Sequence, residues 1–105
     1  MAHPSKRKGD QAEREFCALW NQLTGTTSER KLGAGRREDT GDTHGIPDTT
    51  VQVTANQDST IAIRNKPLEC ELQQHRAGTT FGFTAVRLRG GQWRVVLTLE
   101  QAATL

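Results

Sequence analysis

The sequence predicts an α/β fold, a mixed central sheet flanked by helices. Three observations point there. Ala12, Phe16, Leu19, Trp20 and Leu23 recur at helical spacing. Thr49–Thr54 alternates polar and apolar residues, with Val51 and Val53 on one face and Thr50, Gln52 and Thr54 on the other. Gly90-Gly91 sits between two further strand-like runs, a two-residue hairpin signal.

The first helix is predicted from about Asp10 to Leu23. Asp10 with Glu13 three residues later reads as a capping box, which is the plain structural role for Glu13. Glu13 and Glu15 both flank the apolar stripe, and including Cys17 tilts the stripe towards Glu13. Residues 24–41 are rich in Thr, Gly, Ser and charge, so they read as a long loop with a short strand around Arg30–Leu32.

After the Thr49–Thr54 strand, Asn56-Gln57-Asp58 reads as a turn into a second strand at Thr60–Arg64, with Ile61 and Ile63 facing one way. Pro67 suits the first turn of a helix that runs to Ala77 and stops at Gly78. Leu68, Leu72 and His75 share one face of it, taken as the inner face. Strands follow at Phe81–Leu88 and Trp93–Leu99, and Glu100–Leu105 forms a short closing helix.

A chain of 105 residues makes one domain with a modest core: residues 1–9 as a basic N-terminal tail and 10–105 as the domain. Only 33% of it is hydrophobic, which favours a homodimer that extends the core. A net charge of +2 says little about partners, but the distribution of charge says more. Lys6, Arg7 and Lys8 form one basic run, and Arg30, Lys31, Arg36 and Arg37 flank a glycine-rich segment. Such cations suit DNA phosphates. Cys17 and Cys70 are far apart without metal-ligand spacing and read as buried free thiols of a cytoplasmic protein. His3, His44 and His75 are scattered, which argues against zinc. No apolar run approaches a membrane span.

The chemistry concentrates in Gly41-Asp42-Thr43-His44-Gly45-Ile46-Pro47-Asp48, which runs straight into the Thr49–Thr54 strand. Asp42, Asp48 and Gln52 can bring oxygens to one place, and oxygen-rich sites suit Mg²⁺. Asp42 lies ten positions before Gln52 and can cross from a neighbouring element, so it is favoured as ligand, while Asp48 can instead fasten the turn.

This pattern resembles the PD-(D/E)xK nuclease superfamily, and within it the small Holliday-junction-resolvase-like proteins of phages and actinobacteria. Gln52-Val53-Thr54 stands where the family carries Glu or Gln, any residue, then Lys. Lys8-Gly9-Asp10-Gln11-Ala12-Glu13-Arg14 is similar to the family's early glutamate helix, and Leu32-Gly33-Ala34-Gly35-Arg36-Arg37 to its basic glycine loop. The resemblance covers residues 6–54 and, beyond them, the element order. It implies a restriction-endonuclease-like core and a Mg²⁺- or Mn²⁺-dependent endonuclease acting on branched DNA. Glu13, Asp42, Gln52 and Thr54 would form the catalytic set, and Glu13, Asp42, Asp48 and Gln52 the metal ligands. Lys8, Lys31, Gly33, Gly35, Arg36, Arg37 and His44 would contact DNA. One departure matters: the family's lysine is Thr54, neutral and short, so cleavage is expected to be weak or replaced by binding alone, with a small protein-interaction scaffold as the further alternative. Lys31 and Lys66 are the cations near strand ends that can substitute for it.

Overall fold

The computed structural model describes residues 4–30, 41, 43–55, 58 and 60–104, without the side chains of residues 4–8 and 44. The chain runs α1 (Pro4–Thr24), β1 (Glu29–Arg30), β2 (Thr43–His44), β3 (Thr49–Thr54), a π-helical turn (Ile61–Asn65), α2 (Lys66–Ala77), β4 (Phe81–Arg87), β5 (Trp93–Val96) and α3 (Leu99–Ala103).

β3, β4 and β5 form a mixed three-stranded sheet. β3 and β4 are parallel, with Thr49 opposite Phe81 and Thr54 opposite Val86. β4 and β5 are antiparallel, with Thr84 opposite Val96 and Arg87 opposite Trp93. β1 and β2 make a separate antiparallel pair. A parallel pair needs a crossover, and α2 supplies it.

Strand alternation gives the sheet two chemically different faces. Val51, Val53, Phe83 and Ala85 join Ala12, Phe16 and Cys17 of α1 in the apolar core. Phe16 stacks on Trp20 at 5.7 Å between ring centroids and meets Trp93 at 5.9 Å. The opposite face carries Thr50, Gln52, Thr54 and Thr84 against α2, which buries Cys70 and Gln73 there. The Cys70 thiol donates to the Phe83 carbonyl at 3.2 Å.

Several sequence expectations are corrected. α1 begins at Pro4, so the basic run Lys6–Lys8 is helical rather than part of a tail. Proline is well tolerated in the first turn of a helix, where its missing N–H has no partner to lose. Asp10 and Glu13 do not form a capping box; both carboxylates bind Arg30.

The expected strand at Thr60–Arg64 is helical. Asp58 accepts from the Thr60 N–H at 2.9 Å, and its carbonyl accepts from Ala62 N at 3.0 Å, which starts a helix rather than a hairpin. The following turn is π-helical, with Lys66 N donating to Ile61 O. Pro67 explains the widening, because its ring crowds the carbonyl four residues earlier and its nitrogen cannot donate. Asn56 and Gln57 of the expected turn lie outside the described residues.

The expected inner face of α2 is its outer face: Leu68 is 66% and Leu72 50% exposed. The sheet surface beneath α2 is mostly polar, with Val86 its buried apolar exception, so the small Cys70 and the polar Gln73 face it instead.

A hairpin forms at Gly90-Gly91, both at positive φ, but its loop has three residues rather than two: Arg89–Gly91 make a 3-10 turn closed by Leu88 N donating to Gln92 O at 2.7 Å. The strands around it end sooner than expected, at Arg87 and Val96. α2 stops at Gly78, whose left-handed backbone lets its N–H reach Gln74 O. The closing helix α3 starts earlier than expected, with Thr98 as its cap, accepting from Gln101 N at 3.1 Å.

Candidate nucleic-acid interface and metal site

Arg30 organises one side of the molecule. Its Nη2 lies 2.6 Å from Asp10 Oδ1 and its Nε 3.3 Å from Glu13 Oε1. The sequence sets Arg30 beside the glycine loop without a role in the site; the seventeen and twenty positions that separate it from Glu13 and Asp10 hide the pairing. Glu15 lies on the other flank of the α1 stripe and pairs with Arg87 Nε at 2.6 Å, so the two glutamates serve different elements. Burial pushes the Glu13 carboxyl above its ordinary value, with the Arg30 hydrogen bond opposing the shift and the Asp10 charge adding to it.

Arg30 is paired with Thr43 across β1 and β2. Lys31, Gly33, Gly35, Arg36, Arg37 and Asp42 fall between them in sequence and lie outside the described residues. The residues that flank that segment, Arg30 and Thr43, are paired with each other, and Arg30 lies beside the first half of α1. Lys8, whose backbone is helical, is two residues before Asp10 on the same helix. His44 pairs with Glu29 through its backbone, and its side chain is not described.

The remaining expected ligands point elsewhere. Gln52 and Thr54 are buried, 8% and 6% exposed, on the face that α2 covers, whereas Glu13 belongs to α1 on the opposite face. Asp48 sits at φ 52° and ties the turn to β4: its Oδ1 accepts from Thr80 N at 2.8 Å and its carbonyl from Phe81 N at 3.1 Å. Hydrogen bonds from the Thr80 side chain and backbone hold the Asp48 carboxyl below its ordinary value. Among the described residues, no group of three or more His, Cys, Asp or Glu side chains is placed to hold a metal ion. Glu13, Asp48 and Gln52 thus do not fit a magnesium centre by themselves.

Gln52 has one feature the sequence hid. Its Oε1 is buried with no hydrogen-bond partner, as is the Thr84 hydroxyl directly opposite it on β4. Cys17 is a buried thiol whose pKa is raised by burial, as expected of an inert core cysteine. No helix among the described residues is long and apolar enough to cross a membrane.

No family model, curated protein or solved structure matches this chain.

Proposed function

We propose that this chain is a DNA-binding protein built on a nuclease-type core, acting on branched or structured DNA, with its cleavage chemistry impaired. One observation carries the reading. Arg30 ties the N-terminal half of α1, which carries the helical basic run Lys6–Lys8, to β1, and the basic glycine segment follows Arg30 directly in sequence. The order α-β-β-β-α-β, with the last two of those strands parallel, supports the nuclease-type core. Phosphate contacts of this kind position DNA without reading its sequence.

The impairment rests on the site residues. Thr54 is neutral and buried, Gln52 faces α2, and the Glu13 charge is compensated by Arg30. A Mg²⁺- or Mn²⁺-dependent endonuclease is the second reading, favoured by the buried Gln52 Oε1, an acceptor without a hydrogen-bond partner. The proposal includes a two-fold homodimer, which a junction with paired arms would engage symmetrically.

The test is a binding titration of labelled four-way junction and duplex with wild type and Arg36→Ala/Arg37→Ala. The proposal expects binding that weakens with salt and a double variant weakened alike on all sequences. Absence of binding at low salt would sink it. Sedimentation giving a monomer with and without DNA would remove the dimer.

A further inference from the structure

We propose that DNA contacts reach beyond the glycine segment, onto a basic rim formed at the carboxyl end of the parallel strands by the start of α2 and the β4–β5 turn. This rests on the DNA-binding reading above and names a second set of phosphate contacts.

The topology places these cations together. β3 and β4 end side by side at Thr54 and Val86. The chain leaving β3 turns at that end into the π-helical turn and α2, which carry Arg64 and Lys66. α2 then runs back, and its far end meets the beginnings of the strands, where Gln74 binds the Thr79 and Thr80 carbonyls. β4 leaves the same carboxyl end through Arg87 and Arg89, and Arg94 returns beside Val86 on β5. α1 is antiparallel to β4: Trp20 packs on Phe83, and Glu15 reaches Arg87. Its first residues, Lys6–Lys8, therefore extend past the same end.

The balance of charge is one-sided. Asp10, Glu13 and Glu15 at this end are each engaged by Arg30 or Arg87, Glu69 pairs with Lys66 at 3.1 Å, and the exposed Asp58 accepts from Thr60 N at 2.9 Å. Arg64, Arg89 and Arg94 are exposed. Arg76, in the last turn of α2, is the one Lys or Arg side chain among the described residues at the opposite end, where Asp48 and Glu100 are exposed. Cations clustered on one face are the electrostatic footprint of a phosphate backbone. In open α/β sheets, ligands also gather outside the carboxyl ends of parallel strands.

The experiment measures anisotropy of labelled duplex and four-way junction across a salt series. It compares wild type, Arg64→Ala/Arg89→Ala/Arg94→Ala, Arg36→Ala/Arg37→Ala and Arg76→Ala, each checked for folding by circular dichroism. The rim variant should bind about tenfold or more weakly, and its log–log salt slope should be shallower by about 2–3, close to one per lost phosphate contact. Arg76→Ala should match wild type. A rim variant with wild-type affinity and slope, while Arg36→Ala/Arg37→Ala is weakened, overturns the rim and leaves the DNA-binding reading standing. Arg76→Ala losing about a third of what the triple rim variant loses in log affinity also overturns it, since net charge would then explain the loss. Wild type that binds neither DNA overturns both.

Discussion

Arg30 donates from Nε to the Glu13 carboxylate at 3.3 Å, although the two residues are seventeen positions apart and belong to different elements. With Asp10 as its second partner, this guanidinium fixes the start of the basic segment against α1. Arg30→Ala leaves two part-buried carboxylates facing each other. It should lower stability by about 1–3 kcal/mol, read from urea unfolding, and weaken DNA binding as well, since it frees the anchor of both basic segments. Lost stability with unchanged DNA affinity would confine Arg30 to a structural role.

The two shifted carboxyls act in opposite directions with pH. The folded pKa of Glu13 is raised, so its contribution is fully present below the ordinary value near 4.5 and is lost as pH rises through the folded value. Glu13→Gln should flatten the stability curve just above that value. The folded pKa of Asp48 is lowered, so its contribution is present above the ordinary value near 3.8 and is lost as pH falls through the folded value. Thermal melts across acid pH check both. No change of shape in Glu13→Gln would contradict the burial argument.

Asp48 tests the turn independently. Asn keeps an acceptor for Thr80 N–H and tolerates positive φ, whereas Ala does neither. Asp48→Asn should therefore melt above Asp48→Ala, and equal melting points would remove the hydrogen bond from the account.

Gly45 permits a close approach. A Cβ there would lie 2.9 Å from Ser28 Cα and 2.9 Å from Thr27 O, at φ 96°. Gly45→Ala should cost about 1–3 kcal/mol through backbone strain alone, with the clash adding to it; a wild-type midpoint in urea would show that this approach is not required.

The family's lysine position gives a different expectation once burial is known. Thr54 is 6% exposed and faces α2, so a lysine there buries its stem and leaves the ammonium short of water. Thr54→Lys should lower the melting point and leave cleavage unchanged. A gain in Mn²⁺-dependent nicking would favour the endonuclease reading.

Much of the fold was legible because local signals agreed with tertiary context. The Thr49–Thr54 alternation gave β3 its full range, and Gly78 and Gly90-Gly91 marked a helix end and a hairpin. Ile61 and Ile63 misled because alternation over five residues is also compatible with a helical turn, and Asp58 decided the outcome. The inner face of α2 misled because the usual expectation of an apolar inner stripe meets a sheet face of Thr and Gln here. In the candidate site, the pairing of Glu13 with Arg30 was not legible, since ion pairs between distant segments leave no periodic trace. The separation of Glu13 from Gln52 by the sheet required the packing direction of α1, which spacing does not give.

The most direct measurement is electrophoresis of a labelled four-way junction with wild-type protein at low salt, run native and denaturing after incubation with Mn²⁺. The account predicts a retarded junction on the native gel and intact strands on the denaturing gel. An unretarded junction would contradict the DNA-binding claim, and retarded DNA cut at discrete positions, with cutting lost in Asp42→Ala, would contradict the impairment.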